Sequence, residues 1–295
     1  MHGGAGGAPG SEDPDGAESV RAGLRDALAA GAAVLAAGGL ALDAVVAAVA
    51  VLEARPVFNA GTGSVLNAAG EVEMDAALME GTQRRAGAVA GLRRLAHPVQ
   101  AARAVLEDGR NVLLFGAEAE RIGRAAGVAA ILPEALIVPA RRAQWERALR
   151  GSVPPAGGTV GAVARDAAGR LAAATSTGGL VGKLPGRISD SAQIGCGTWA
   201  DDATCAVSAT GHGEHFIRAA FARGVDGWIR HAGVSLEEAC RRVLAEVAAQ
   251  GGHGGCIAID RAGALAMAFD TPAMARGSVR AGEPARVAIG GEPLA

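Results

Sequence analysis

Leucine and valine recur at helical spacing in two alanine-rich segments near the start of the chain. Residues 18–36 and 41–53 each carry one apolar stripe, Gly38-Gly39 separates them, and Pro56 follows the second. This pattern predicts two helices joined as an αα-hairpin.

Short apolar runs on either side of four-residue turns predict strands further along the chain. Turns of one type, each beginning with Asn or Asp and ending with Gly, occur at 67–70, 166–169 and 260–263. They predict hairpins over 65–78, 158–177 and 256–270, the last of which closes the fold. The strands are almost unbroken runs of small apolar residues, which favours antiparallel sheets covered on both faces by other layers.

Other segments complete the predicted organisation. Helices are expected over 97–107, 116–126 and 214–222, and a last long helix begins at a capping box of Ser235 and Glu238. The segment 139–158 is charged and then rich in glycine and proline, which predicts a linker. We expect one α/β chain of the α+β type, with stacked sheets between helix layers.

Composition narrows the class of protein. The chain has 295 residues, 50% of them hydrophobic and only 3% aromatic, with 45 glycines, so the core is expected to consist of small side chains. The net charge of −2 does not favour binding to nucleic acid or to an anionic membrane, and a small ligand fits better.

The cysteines lack CxxC spacing, which favours reduced thiols over disulfides or zinc; they are Cys196, Cys205, Cys240 and Cys256. No membrane span or signal segment is visible, and a cytoplasmic location is expected.

The most informative string is GTVGAVARDAAGRLAAATST, residues 158–177. A hairpin centred on residue 168 places Thr159 opposite Thr177, give or take one position for a bulge. Gly158 has no Cβ to obstruct attack on its carbonyl, so the chain is suited to cut itself before Thr159. The freed α-amine, with a reference pKa of about 7.7 to 8.0, would then serve as the base. The alternative is that both threonines are ordinary β-branched strand residues.

Two further groups of residues are candidates for a site. Arg187 and Asp190 in GRISD offer a guanidinium for a carboxylate and a carboxylate for an ammonium, the two charges of an amino acid head group. A solvated ion pair between neighbours is the alternative. Thr210 and the N–H groups of Gly211 and Gly213 lie where a strand leads into a helix, and such groups can stabilise an oxyanion.

The remaining candidates carry weaker signals. His212 and His215 are interpreted as surface or packing residues, because no third metal ligand is apparent nearby. The string HGGAG at 2–6 predicts a glycine-rich loop that could approach the site. Asn59 in FNAGTG either binds a substrate amide or carbonyl or forms an Asx-turn.

Eight motifs together resemble the plant-type L-asparaginase and isoaspartyl peptidase family of N-terminal nucleophile hydrolases. They are HGGAG, FNAGTGSVLN, EVEMDAALMEG, GTVGAVARD, ATSTGG, KLPGRISDS, CAVSATGHGE and GGHGG…AID, in order over nearly the whole chain. The resemblance implies a single four-layer αββα domain over 1–295. It also implies cleavage into an α subunit, 1–158, and a β subunit, 159–295, and a dimer of such heterodimers.

The resemblance also implies roles for residues at matching positions. Thr159 would be the nucleophile, Thr177 its hydrogen-bonding helper, and Thr210 with Gly211 the oxyanion hole. Arg187 would bind the substrate α-carboxylate and Asp190 the α-amine, with Gly213 lining the pocket and Asn59 near the nucleophile. No cofactor is implied for catalysis. A structural sodium ion would be held by main-chain carbonyls of Leu52, Glu53, Arg55, Phe58, Ala60 and Thr62.

The sequence departs from the family pattern at three places. Met1 directly precedes His2 where the family has an apolar strand, so either the start lies upstream or one sheet lacks a strand and exposes an edge. Ser189 replaces a usual glycine and is expected to narrow the head-group pocket. Cys196 replaces a usual alanine.

These observations lead to one functional hypothesis and two alternatives. The chain is expected to hydrolyse the side-chain amide of L-asparagine and to cleave β-aspartyl dipeptides, through an ester on Thr159. A glycosylasparaginase is the nearest alternative, although that group typically has Asp at position 158 and Asn at position 212. The other alternative is a pseudoenzyme that binds aspartate without turnover.

Overall fold

A computed structural model of the chain describes residues 1–7, 14–151 and 158–294, which form nine α-helices and twelve strands. The helices are α1 (Pro14–Ala36), α2 (Ala41–Glu53), α3 (Pro98–Asp108), α4 (Gly116–Ala125), α5 (Pro133–Leu136), α6 (Pro139–Leu149), α7 (Gly213–Arg218), α8 (Phe221–Ala232) and α9 (Leu236–Ala249). The strands are β1 (His2–Gly6), β2 (Met74–Glu80), β3 (Ala86–Leu92), β4 (Leu113–Phe115), β5 (Val160–Arg165), β6 (Leu171–Thr177), β7 (Thr198–Ala200), β8 (Cys205–Gly211), β9 (Gly254–Asp260), β10 (Leu265–Phe269), β11 (Ala273–Ser278) and β12 (Arg286–Ala288). A short 3-10 helix covers Asp190–Ala192.

The strands form two sheets within the described ranges. The larger has eight strands in the order β12-β11-β1-β5-β6-β2-β3-β4, and the smaller has four in the order β10-β9-β8-β7. Neighbouring strands run antiparallel, except that β3 and β4 are parallel. Helices α1, α2 and α3 contact the larger sheet, helices α8 and α9 contact the smaller one, and strands β5 and β6 contact β8 across the two sheets.

Strand β6 shows why both faces of the larger sheet need apolar residues. Ala172 and Ala174 belong to the core shared with helices α1 to α3. Leu171 and Ala173 point the other way and pack against Ala206 and its neighbours in the smaller sheet. Successive side chains on a strand point to opposite faces, so an unbroken apolar run is what a strand covered on both sides requires. The predicted covering on both faces is confirmed for this strand.

The small side chains of the sheets allow close approach. A Cβ at Gly161 would collide with the hydroxyl of Ser208 in the opposite sheet. The three predicted turns also form as expected. In each, the side chain of Asn67, Asp166 or Asp260 accepts N–H groups two and four residues later, the hydrogen-bonding pattern of an Asx-turn.

Two predictions about the first part of the chain are wrong. Residues 2–6 form strand β1, paired with β11 and, at His2, with Gly161 of β5, rather than a loop. The position between β11 and β5 is therefore filled, and the sheet does not expose an edge there. The segment 65–78 is not a hairpin, because only Leu66 and Val72 pair across its turn, and β2 pairs instead with β3 and β6.

The predicted linker over 139–158 is also wrong for most of its length, because helix α6 occupies its first part. The helix begins at a proline, which suits a first helical position. Arg141 then donates hydrogen bonds to two carbonyl groups of the loop 57–63. Local composition does not reveal such a contact. Residues 152–157 of the predicted linker lie outside the described residues.

The C-terminal half agrees with the predictions apart from two boundaries. The helix expected over 214–222 is divided into α7 and α8 at Ala220, which has a positive φ of 44°. Strands β11 and β12 follow the hairpin that was expected to close the fold. The N-cap half of the predicted capping box is confirmed, since the Ser235 hydroxyl accepts the Glu238 N–H, whereas the Glu238 carboxylate accepts a hydrogen bond from Arg242. None of the helices formed by 1–7, 14–151 and 158–294 is long and apolar enough to cross a membrane.

Candidate active site

The hairpin of β5 and β6 brings the two candidate threonines together. Val160 pairs with Ser176, so Thr159 lies opposite Thr177, which confirms the predicted register. Both side chains are buried, and the Thr159 hydroxyl donates to the Thr177 hydroxyl over 3.4 Å. This is a long hydrogen bond, so the two groups are adjacent without being tightly coupled.

The carbonyl group of Gly158 accepts two hydrogen bonds from side chains. Asn59 donates to it through Nδ2 at 2.8 Å, and Thr177 donates through its hydroxyl at 2.7 Å. The N–H of Gly179 donates to the Thr177 hydroxyl at 2.9 Å and so orients it. Two donors on one carbonyl oxygen are the arrangement that stabilises the oxyanion formed when a nucleophile attacks the carbonyl carbon. The hydroxyl group of Thr159, the candidate nucleophile, belongs to the residue that follows this carbonyl group.

Asp190 is a buried carboxyl group that lacks a complete set of partners. It is 3% exposed, and its Oδ2 atom has no hydrogen-bond partner among the described residues. Burial raises the pKa of Asp190 to about 7, although the nearby positive charge of Arg187 opposes the shift. An unpartnered buried carboxyl next to a cavity is poised to accept a cationic donor.

Arg187 lies beside Asp190, and Gly213 keeps the space between them open. A Cβ at Gly213 would lie 2.6 Å from Asp190 Oδ1 and 2.7 Å from Arg187 Nη2. Arg187 donates through Nε to Glu214 at 3.0 Å. Because this contact uses Nε alone, the Nη2 atom beside Gly213 and the Nη1 atom beside Gly179 can bind a carboxylate.

Thr210 and Gly211 end strand β8 at the same place. The Thr210 hydroxyl is fully buried and accepts the N–H of Ala5, which leaves its own proton available to donate. Gly211 has a φ of 151°, and a Cβ there would lie 2.5 Å from the carbonyl oxygen of His253. Only glycine tolerates that combination of conformation and close contact.

Five of the candidate residues line one small cavity, whereas Asn59, Thr210 and Gly213 are not among its lining residues. Its lining residues are Gly158, Thr159, Thr177, Gly179, Leu180, Arg187, Ser189, Asp190 and Gly211. The cavity holds about 10 Å³, which is room for about one water molecule rather than an amino acid. Gly158 forms part of its wall, so the uncut chain itself limits the space next to the Thr159 hydroxyl.

The sequence did not reveal a buried hydrogen-bond chain behind Thr159. His2 contacts the Thr159 carbonyl oxygen through Nδ1 and the Ser208 hydroxyl through Nε2, both at 2.9 Å. Burial lowers the pKa of His2 to about 3, so the ring is neutral. The Ser208 hydroxyl contacts Thr175, which in turn accepts a hydrogen bond from Thr198, each at 2.7 Å. The histidine in the HGGAG string is the sequence feature that could have pointed to this chain.

A second group that the sequence did not reveal is the carboxyl of Glu53, a residue expected to act only through its main-chain carbonyl. It is fully buried, accepts the Ser176 hydroxyl at 2.6 Å and the Val99 N–H at 2.9 Å. Burial raises the pKa of Glu53, while its hydrogen bond with His97 opposes the shift. The carboxyl thereby joins the end of α2 and the start of α3 to the residue before Thr177.

The loop expected to bind sodium follows α2 and carries several inward carbonyl groups. The Glu53 carbonyl accepts the Thr62 N–H at 2.9 Å. A Cβ at Gly61 would collide with that carbonyl oxygen, and a Cβ at Gly63 would lie 2.8 Å from the carbonyl oxygen of Phe58. Oxygen atoms are the ligands that hard cations prefer, so the loop fits such an ion.

The other residues singled out in the sequence have ordinary surroundings. His212 contacts the neighbouring His253 backbone, and His215 lies against Arg218 on the surface. The Ser189 hydroxyl donates to Asp75 at 2.8 Å, and Ser189 is one of the residues that line the cavity. All four cysteines are unpaired, with Cys196 half-buried and the other three buried.

Comparison with known proteins agrees with this geometry. The family model Asparaginase_2, described as asparaginase, matches residues 1–289. An isoaspartyl peptidase of Salmonella typhimurium is 45% identical over 273 residues, which cover 88% of this chain and 87% of that protein. An isoaspartyl peptidase/L-asparaginase of Danio rerio is 40% identical over 290 residues, covering 96% and 92%. The chain belongs to the asparaginase family, and the predicted family and enzyme class, a hydrolase, are confirmed.

Proposed function

We propose that the protein is a threonine-nucleophile amidohydrolase that hydrolyses L-asparagine to L-aspartate and ammonia and cleaves β-aspartyl dipeptides. One observation carries the proposal: a single cavity joins the Thr159 hydroxyl to the unpartnered Asp190 carboxyl and the Nη atoms of Arg187. The first group supplies a nucleophile, and the other two suit the ammonium and carboxylate of an amino acid. The names of the relatives from Salmonella typhimurium and Danio rerio support the same substrates.

Maturation would begin at the bond between Gly158 and Thr159. The Thr159 hydroxyl attacks the Gly158 carbonyl carbon, and Asn59 and Thr177 stabilise the oxyanion through the hydrogen bonds they already make. The peptide bond breaks as an ester forms, and water hydrolyses that ester to a Gly158 carboxylate and a free Thr159 hydroxyl. The products are 1–158 and 159–295, and Thr159 gains an α-amine.

Turnover would reuse the same hydroxyl with its new base. The α-amine accepts the hydroxyl proton while Oγ1 attacks the side-chain carbonyl of the substrate, with Thr210 and the Gly211 N–H stabilising the oxyanion. Arg187 holds the α-carboxylate and Asp190 the α-ammonium. Ammonia or an amino acid leaves with the proton, and water hydrolyses the β-aspartyl ester.

Three finer features belong to the same proposal. The two sheets and the helices that contact them would form a four-layer αββα sandwich as a single domain. The matured protein would assemble as a dimer of heterodimers. A sodium ion would support the loop after α2 through main-chain carbonyls, the expected ligands being Leu52, Glu53, Arg55, Phe58, Ala60 and Thr62. A cytoplasmic location stays a prediction.

The test combines a denaturing gel with substrate assays. The wild-type chain is expected to resolve into fragments 1–158 and 159–295, identified by mass, and to release ammonia from L-asparagine. Thr159→Ala is expected to stay whole and inactive, whereas Thr159→Ser keeps a hydroxyl and cuts more slowly. A wild-type chain that stays intact and inactive after long incubation would support an aspartate-binding pseudoenzyme. Preference for a glycosylated asparagine over L-asparagine would support a glycosylasparaginase.

A further inference from the structure

The chain contains a single lysine, Lys183, although its 28 basic residues are otherwise all arginine. It lies in the KLPGRISDS motif, four residues before Arg187. Lysine is among the residue types least often buried, yet this side chain is only 6% exposed. A buried ammonium group needs compensating contacts, so its surroundings indicate what it does.

The Lys183 ammonium lies directly behind the wall of the candidate site. It donates to the main-chain carbonyl of Glu73 at 2.7 Å. A Cβ at Gly179 would lie 2.9 Å from Lys183 Nζ and 3.2 Å from Arg187 Nη1, so the two cations converge on one point. Gly179 lines the cavity, and its N–H and carbonyl groups bind Thr177 and Asn59. The lysine therefore lies beside the glycine whose N–H and carbonyl groups these two side chains use.

Two acidic residues of the EVEMD motif lie near this pair of cations, and the charges of both act on Lys183. The Glu73 carboxylate accepts the Gly186 N–H at 3.0 Å, next to Arg187 in the chain. Asp75 accepts both the N–H and the hydroxyl of Ser189 at 2.8 Å. Burial lowers the pKa of Lys183, and the neighbouring charge of Asp75 opposes that shift. The acidic groups are thus arranged to offset repulsion between two positive charges at one wall of the cavity.

We propose that Lys183 is a positioning residue that adds a second positive charge behind the subsite for the substrate α-carboxylate. Arg187 would contact that carboxylate directly, while Lys183 acts through Gly179 and through its field in the partly buried site, where charges interact more strongly than in water. This inference rests on the proposed function. It concerns the binding of the α-carboxylate and leaves the reaction at Thr159 unchanged.

Because there is one lysine, biosynthetic labelling with ¹³C-lysine gives one side-chain ε-CH₂ signal in the mature wild-type protein. We expect this signal to move on saturation with L-aspartate. It should move much less with L-isoasparagine, in which a neutral carboxamide replaces the α-carboxylate. Saturation by each ligand is established by its effect on the melting temperature. Equal movement with both ligands, or none with bound L-aspartate, would overturn the proposal.

Kinetics of Lys183→Met supply the second measurement. The KM for L-asparagine is expected to rise roughly tenfold or more, while kcat and the extent of self-cleavage stay near wild type. The KM for L-asparaginamide, which lacks the negative charge, should change little. Arg94→Met, which removes one exposed positive charge, is the matched control and should leave both KM values unchanged. A purely structural role for Lys183 predicts equal losses for the two substrates and would contradict the proposal.

The outcomes also separate this inference from the function on which it rests. If the wild-type protein neither turns over L-asparagine nor binds L-aspartate, the proposed function fails. If it does both while the lysine signal and the KM ratio stay unchanged, only the role of Lys183 fails. Should Lys183→Met not fold, the signal of the labelled wild-type protein decides.

Discussion

The Asn59 side chain makes use of both ends of its amide group. Its Oδ1 atom accepts the Val65 N–H at 2.8 Å, and its Nδ2 atom donates to the carbonyl groups of Gly158 and Gly179, also at 2.8 Å each. The side chain is 4% exposed, so water cannot readily replace these partners. Three hydrogen bonds thus fix the Asn59 side chain. One of them is accepted by the carbonyl group of the peptide bond that is expected to break.

Asn59→Asp is expected to slow self-cleavage by about 10² to 10³-fold, the usual cost of losing one oxyanion donor. The carboxylate has nearly the same shape but cannot donate to the Gly158 carbonyl. The rate is measured from the appearance of the two fragments on denaturing gels. Asn67→Asp, a buried amide that contacts Glu73 and not Gly158, provides the control. Cleavage at the wild-type rate in Asn59→Asp would exclude the assigned role.

The raised pKa of Asp190, about 7, predicts how KM depends on pH. Only the ionised carboxylate attracts the substrate ammonium, and in the free enzyme that form dominates above pH 7. The KM for L-asparagine should therefore be lowest just above pH 7, where Asp190 is ionised and the substrate amine is still protonated, and rise towards tenfold per pH unit below it. The α-amine of Thr159 titrates separately and should affect kcat.

Steady-state kinetics between pH 5 and 9 separate the two titrations. Asp190→Asn should show a high KM with no such rise on acidification, because it has no carboxyl group to protonate. A wild-type KM that stays flat down to pH 5 would contradict the combination of a raised Asp190 pKa and ammonium binding by that carboxyl group.

At the scale of elements, the sequence predicts correctly those features that depend on contacts between residues close together in the chain. The register of β5 against β6 is set by the Asp166 turn between them, so local residues were enough to pair Thr159 with Thr177. By contrast, His2 and Ser208 are 206 positions apart, and β1 becomes a strand only because β11 pairs with it. Helix α6 likewise depends on a distant loop.

The loop after α2 carries a prediction of its own. If a sodium ion binds its main-chain carbonyls, the melting temperature should be higher in sodium chloride than in tetramethylammonium chloride at equal ionic strength, because a ligand that binds only the folded state stabilises it. Gly63→Ala would crowd the Phe58 carbonyl oxygen and should reduce this difference. Gly233→Ala places a Cβ in open space at a similar positive φ and is the control. Identical melting in the two salts would argue against the ion.

At the scale of the whole molecule, the expected cleavage would leave two chains interleaved in one sheet. Strands β1 to β4 belong to 1–158, whereas β5 to β12 belong to 159–295. In the larger sheet, β1 lies between β11 and β5, and β6 pairs with β2. Three strand pairs therefore join the two fragments, and helix α2 of the first fragment packs on β5 and β6 of the second.

This interleaving predicts that the fragments stay together after the peptide bond breaks. Separating them would expose the apolar faces of β5 and β6 together with unpaired backbone groups, and both changes are costly in water. Size-exclusion chromatography with light scattering should give one species of twice the 29.1 kDa chain mass for a dimer of heterodimers. Denaturing gels of the same peak should show both fragments. In rising urea, fragment separation and loss of helical circular dichroism should coincide, since neither fragment holds a complete sheet. Release of one fragment before that transition would mean that the strand pairs across the cut contribute little to stability.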